Sequence, residues 1–164
     1  MPHAFVFKRI APASIPDALK KAERYRLLGE ADEAESVCLD ILKADPGNQE
    51  GLVALILALS DQFKNERRPR VELAQQYVAA LTDEYQRRYY NAVVLEREAG
   101  AHLGRETPPV LVFLRFCEAM DAYEQAAAVQ PPGDDSAALR WNACLRAIRR
   151  RQLKPGLAEE YETA

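Results

Sequence analysis

Histidine is almost missing from this chain: only His3 and His102 occur among 164 residues. General acid–base chemistry at neutral pH leans on imidazole more than on any other group, and a base needs a positioned partner. His3 stands near the terminus, and His102 stands near a helix end, where a cation suits the negative pole of the dipole. Neither has a partner at a catalytic spacing. No Walker loop, Rossmann glycine cluster or zinc-ligand spacing occurs either. The sequence therefore assigns no catalytic residue, no cofactor and no metal. Cysteine is scarce as well: Cys38, Cys117 and Cys144 are odd in number and far apart. That excludes a disulfide framework and points to the reducing cytoplasm. Each cysteine falls among apolar residues at helical spacing and reads as a small buried hydrophobe. The longest apolar run extends only from Leu52 to Leu59, well short of the roughly 20 residues needed to cross a bilayer. Met1-Pro2-His3-Ala4-Phe5-Val6-Phe7 has no charged leader and no small-residue cleavage site, so it does not read as a signal peptide.

What is present is ordinary globular material: 48% apolar residues, 29% charged residues and a net charge of −3. The length suits one domain with a core of its own. An extended segment, 1–13, precedes a helical domain, 14–156, and a tail, 157–164, follows it.

The punctuation is regular. Ser14-Ile15-Pro16-Asp17 has the composition of a helix start, with Ser14 as the capping side chain. The first helix carries an inward stripe of Ala18, Ala22, Tyr25 and Leu28, and Gly29 can end it in the left-handed conformation. A second helix, 31–44, follows almost at once, with Ala34, Val37, Cys38, Ile41 and Leu42 facing inward. Asp45-Pro46-Gly47-Asn48 stops it. A third helix, 49–63, is apolar on every side between Leu52 and Leu59 and must be covered over most of its surface. Pro69 marks the start of a fourth, with Val71, Ala74, Val78 and Leu81 inward. A fifth runs 86–103, with Gly104 as its cap. Thr107-Pro108-Pro109 opens a sixth, although Val110 to Leu114 is β-prone by composition. Helix is preferred there because no second strand is available to pair with it. A seventh, 136–152, buries Ala137, Trp141, Cys144, Leu145 and Ile148, and Pro155-Gly156 ends it. Short links between amphipathic helices make neighbours antiparallel. The fold class is all-α.

Residues 15 to 48 span 34 positions. Within them Gly29, Ala34, Ile41 and Pro46 occupy the turn glycine, small residue, apolar residue and terminating proline of a helical repeat. Leu28-Gly29-Glu30-Ala31-Asp32-Glu33-Ala34, continued to Asp45-Pro46-Gly47-Asn48, resembles the second half of a tetratricopeptide (TPR) unit. Ala74, Val78 and Leu81 repeat part of the spacing, and Ala119, Tyr123, Ala126 and Pro131 recover more of it. Trp141-Asn142 looks like the start of another first helix. The resemblance implies a TPR-like stack of about seven helices, three hairpins plus a closing helix. It also implies a scaffold or adaptor that holds a partner protein or peptide in a concave groove lined by the first helix of each hairpin. Carried onto this sequence, the groove comprises Leu19, Glu23, Arg26, Val53, Leu57, Asp61, Tyr90 and Asn91. TPR domains that hold a C-terminal carboxylate use a lysine and asparagines on these helices. Leu19 and Glu23 stand at the corresponding positions of the first hairpin, which argues against that kind of ligand.

Two readings of other classes come from charge. Residues 17 to 45 carry eight acids and five bases, whereas Arg140 to Lys154 holds six bases and no acid. Opposite ends of such a stack can meet head to tail, which would make a homo-oligomer. Helix six, apolar nearly all round from Val110 to Phe116, offers a second association surface. The basic patch Arg140, Arg146, Arg149 and Arg150, with the loop from Lys64 to Arg70, can also be read as an anion or nucleic-acid site. Negative net charge and the lack of interleaved aromatics argue for a solvated face instead. No membrane partner is expected.

Overall fold

Glycine and proline turns cut the chain into short helices, and the computed structural model describes them over residues 4–66 and 70–156. Seven α-helices are present among the described residues: α1 Ile15–Leu27, α2 Ala31–Ala44, α3 Gln49–Asp61, α4 Val71–Ala79, α5 Glu84–His102, α6 Pro109–Ala127 and α7 Ser136–Arg150. Single 3-10 turns precede α1 at Pro12–Ser14 and follow α3 at Phe63–Asn65. The described residues contain no strand, and the β-prone stretch from Val110 to Leu114 lies inside α6. Pro69, expected to open the fourth helix, His3 and the tail 157–164 lie outside the described residues.

The ends show where local rules decide. Gly29 has φ +77°. The amides of Gly29 and Glu30 return to the carbonyls of Arg26 and Tyr25, at 3.0 and 2.8 Å, closing α1 as the turn glycine predicts. Asn48 accepts from the Gly51 amide at 2.8 Å, and Asp83 accepts from the Gln86 amide at 2.8 Å. These side chains cap α3 and α5. Asp83 moves the start of α5 two residues ahead of the sequence expectation. Ser14 does not cap α1: it is already in the αR region, as the last residue of the 3-10 turn, and makes no capping bond. Gly104 does not take the left-handed conformation either. The turn after α5 is held instead by a bond from the Arg105 amide to the His102 carbonyl.

Each helix packs on the next, and α1, α3 and α5 also touch one another in turn. The apolar side chains form two clusters. One gathers Ala22, Cys38, Leu55, Ile56, Phe63 and Ala74 from α1 to α4. The other gathers Phe116, Ala119, Tyr123, Ala137, Cys144 and Ile148 from α6 and α7. Helix α5 belongs to both, giving Val94 and Ala101 to the first and Ala92, Val93 and Ala99 to the second. Small residues sit where axes approach. Ala34 and Ala74 are both fully buried. A Cβ on Gly51 would stand 2.9 Å from the Ile41 Cγ2, so α2 and α3 meet there without room for a methyl group. The inward stripe of α1 differs from expectation: Ile15 is buried, while Leu28 is 65% exposed because the turn at Gly29 carries it clear of the core. Cys38 and Cys144 are buried, whereas Cys117 is only half-buried. Burial pushes the thiols of Cys38 and Cys144 up to about 12.

Two outcomes follow for chemical denaturation. Ala34→Leu places extra methylenes where no volume exists and costs about 1–3 kcal/mol, while Arg149→Ala, on an exposed surface, costs under about 0.5 kcal/mol. A parent-like melt for Ala34→Leu would show that the first hairpin is packed differently.

Gln152 caps α7 with φ +53°, and the amides of Gln152 and Leu153 return to Arg149 and Ile148 as they do at Gly29. A side chain is strained in that region, so Gln152→Gly raises stability by about 0.5–1 kcal/mol in the same assay.

Candidate functional site

Helix α3 explains where a site forms. Its buried residues Leu52, Leu55, Ile56 and Leu59 face the core, but Val53, Ala54 and Leu57 are only half-covered. They floor a cleft of about 320 Å³ between α1, α3 and α5. Leu19, Glu23 and Arg26 of α1 form one wall, and Gln86 and Tyr90 of α5 form the other. Six of the eight sequence-predicted groove residues therefore line one cavity: Leu19, Glu23, Arg26, Val53, Leu57 and Tyr90. Asn91 is half-buried and does not line it.

Asp61 lies one turn beyond Leu57 and acts through its partners. Its carboxylate accepts from Arg26 Nε at 2.7 Å and from Arg97 Nη1 at 2.7 Å. One acid thus joins α1, α3 and α5 at the end of the cleft. Arg26 also borders a polar hollow of about 690 Å³ that includes Asp61, Gln62 and Glu66. At the opposite end Leu19, Glu23, Gln49 and Glu50 are shared with a third hollow of about 670 Å³ reaching Ile15 and Pro16. The cleft thus shares Arg26 with the first hollow and four residues with the third. Its middle is apolar, one end carries the exposed acids Glu23 and Glu50, and the other carries the Arg26–Asp61–Arg97 bridge.

The basic patch is divided. Arg140 is held by Glu96, which accepts from its Nε at 3.1 Å and also from Nη2. Glu96 is buried and takes a third bond from the Tyr123 hydroxyl at 2.5 Å. The carboxylate's hydrogen bonds raise the Arg140 guanidinium, and burial, with Glu96 beside it, drives the Tyr123 hydroxyl up. Arg140 is thus a structural cation, while Arg146, Arg149 and Arg150 are exposed on other sides of α7. Tyr89 packs against the rings of Tyr85, Tyr90 and Tyr123, so the cleft wall at Tyr90 is backed by an aromatic cluster.

Arg70, at the end of the basic loop, is engaged too. Glu35 of α2 accepts from its Nη1 and Nη2 at 2.7 and 3.0 Å, and Glu66 accepts from its Nε at 2.9 Å. Among the described residues no group of His, Cys, Asp and Glu could hold a metal ion, and no helix is long and apolar enough to cross a membrane. His102 shares a 3.1 Å hydrogen bond with Thr107, across the turn after α5. Compared with protein-family models, with curated proteins and with solved structures, the chain matches none.

The Glu35 carboxyl is held below its ordinary value chiefly by the Arg70 hydrogen bonds, working against desolvation. Its folded pKa lies under the unfolded value of 4.5, so its contribution is complete above that pH and is lost as pH falls through the folded value. Glu35→Gln therefore lowers stability at neutral pH by about 1–2 kcal/mol. In urea melts at a series of pH values, the gap from the parent should close on acidification. A gap independent of pH would mean that the Glu35 charge has no part in it.

Proposed function

We propose that this chain is a non-catalytic, protein-binding scaffold of the cytoplasm. It takes an extended segment of a partner protein along the concave side of a TPR-like stack of three hairpins and a closing helix. The observation that carries this reading is the cleft between α1, α3 and α5, with its apolar floor and charged ends and a further hollow at either end. An extended chain offers alternating side chains and a row of backbone groups, and a long shallow channel suits that shape better than a compact metabolite. The pairing of neighbouring helices, and the contacts of α3 with both α1 and α5, support the stacked arrangement. The apolar strip Val53, Ala54 and Leu57 stays half-covered although the rest of α3 is buried.

Binding of nucleic acid through the arginine clusters is the weaker alternative. Arg70 and Arg140 are already neutralised by carboxylates, and Arg146, Arg149 and Arg150 are exposed charges in the second half of α7. Cations there are favoured by the dipole without any ligand.

The test is affinity capture from the native host, followed by direct titration of the protein recovered. Leu57→Lys places an ammonium group on the cleft floor, and its helical content and melt verify folding. Partner affinity should fall about tenfold or more, a loss of roughly 1.4 kcal/mol. Arg149→Ala with Arg150→Ala should leave it unchanged. Undiminished binding by the folded Leu57→Lys protein would remove the cleft as the site.

A further inference from the structure

The segment before α1 is the most exposed apolar part of the described chain. Residues 4–11 form no regular structure, and Val6 and Phe7 are 82% and 79% exposed. The Phe7 ring lies under the Lys43 ammonium group of α2, 5.1 Å from it. Lys43 and the rest of α2 do not line the cleft between α1, α3 and α5, so this Phe7 contact lies outside it. Lys8 and Arg9 follow directly, both exposed and without an ion pair among the described residues. The arm thus reads as aromatic and aliphatic, then doubly cationic.

The cleft has the complementary layout. Its apolar floor of Val53 and Leu57 is bordered by Glu23 of α1 and, at the start of α3, by Glu50. Both acids are exposed, and neither makes an ion pair among the described residues. A cavity of about 320 Å³ is of the size that takes an aromatic ring. We propose that the occupant of the cleft is the N-terminal arm, residues 4–11, of a second copy of this chain. Phe7 enters above Leu57 and Val53, and Lys8 and Arg9 meet Glu23 and Glu50. The order of apolar and cationic residues fixes the direction, with the arm running antiparallel to α1 and α3. Fully extended, residues 4–11 reach at most about 26–29 Å, enough to leave one copy and lie along the groove of another. Reciprocal exchange of two arms closes a two-fold dimer and leaves no unfilled groove.

This inference rests on the cleft being a protein-binding site, and the experiment separates the two. Light scattering over a concentration series should show the mass of the full chain doubling, with the transition moving to higher concentration as salt rises. Val6→Ser with Phe7→Ser should stay monomeric. That variant should bind a labelled synthetic peptide of residues 4–10, because no arm of its own competes. Glu23→Lys with Glu50→Lys, added to that variant, alters only exposed side chains. It should weaken peptide binding about tenfold or more, and a peptide carrying Lys8→Glu and Arg9→Glu should restore it. A full chain that stays monomeric at every concentration overturns the proposal, as does a dimer that survives removal of Val6 and Phe7. If the host partner's binding depends on Leu57 while the chain is strictly monomeric, the arm is overturned and the cleft stands. If neither association depends on the cleft, both fall.

Discussion

Helix α5 has to be apolar on two flanks at once, and the rest of the molecule is arranged around that requirement. Val94 and Ala101 complete the core built by α1 to α4, while Ala92, Val93 and Ala99 complete the core of α6 and α7. Alanine and valine suit this duty, because small side chains let helices approach from both sides. The surface that remains goes to polar work. Tyr90 forms a wall of the cleft, Arg97 reaches Asp61, and Glu96 turns toward α6 and α7.

Three carboxylates mark the joints between helices. Glu35 meets Arg70, Asp61 meets Arg26 and Arg97, and Glu96 meets Arg140, with partners separated by 35 to 44 residues. Partly buried pairs of this kind add little net stability, since desolvation offsets much of the attraction. Their effect is on alignment. A helix that slid by one residue would leave a carboxylate dry and unpaired, and that is expensive.

The helical content was legible in the sequence because its signals are local. Gly29 and Pro46 stop helices through their own backbone preferences, and the stripe of α2 lies at fixed spacing. Where two local signals competed, the reading failed. Pro12 draws Ser14 into a 3-10 turn before it can cap α1, and Asp83 caps α5 with Gln86 at capping-box spacing. Leu19, Glu23 and Arg26 share a cavity with Val53 and Leu57 because α1 and α3 lie side by side, and no local signal in the sequence links them. The Glu96–Tyr123–Arg140 unit was not foreseen, because nothing local links residues 44 apart. One clue was present: Glu96 stands among Ala92, Val93 and Ala99, where an acid without a counter-ion would be costly.

The position of α5 between two cores also bears on how the protein opens. Stacks of helical pairs can unravel from their ends, one pair at a time, since each pair leans mainly on its neighbours. Here the longest-lived amide protons should belong to the middle of α5, because exposing them means stripping both clusters together. Fraying at α1 or α7 leaves that helix intact. The molecule then has a single cooperative heart with softer margins, and the half of the cleft formed by α1 belongs to a margin.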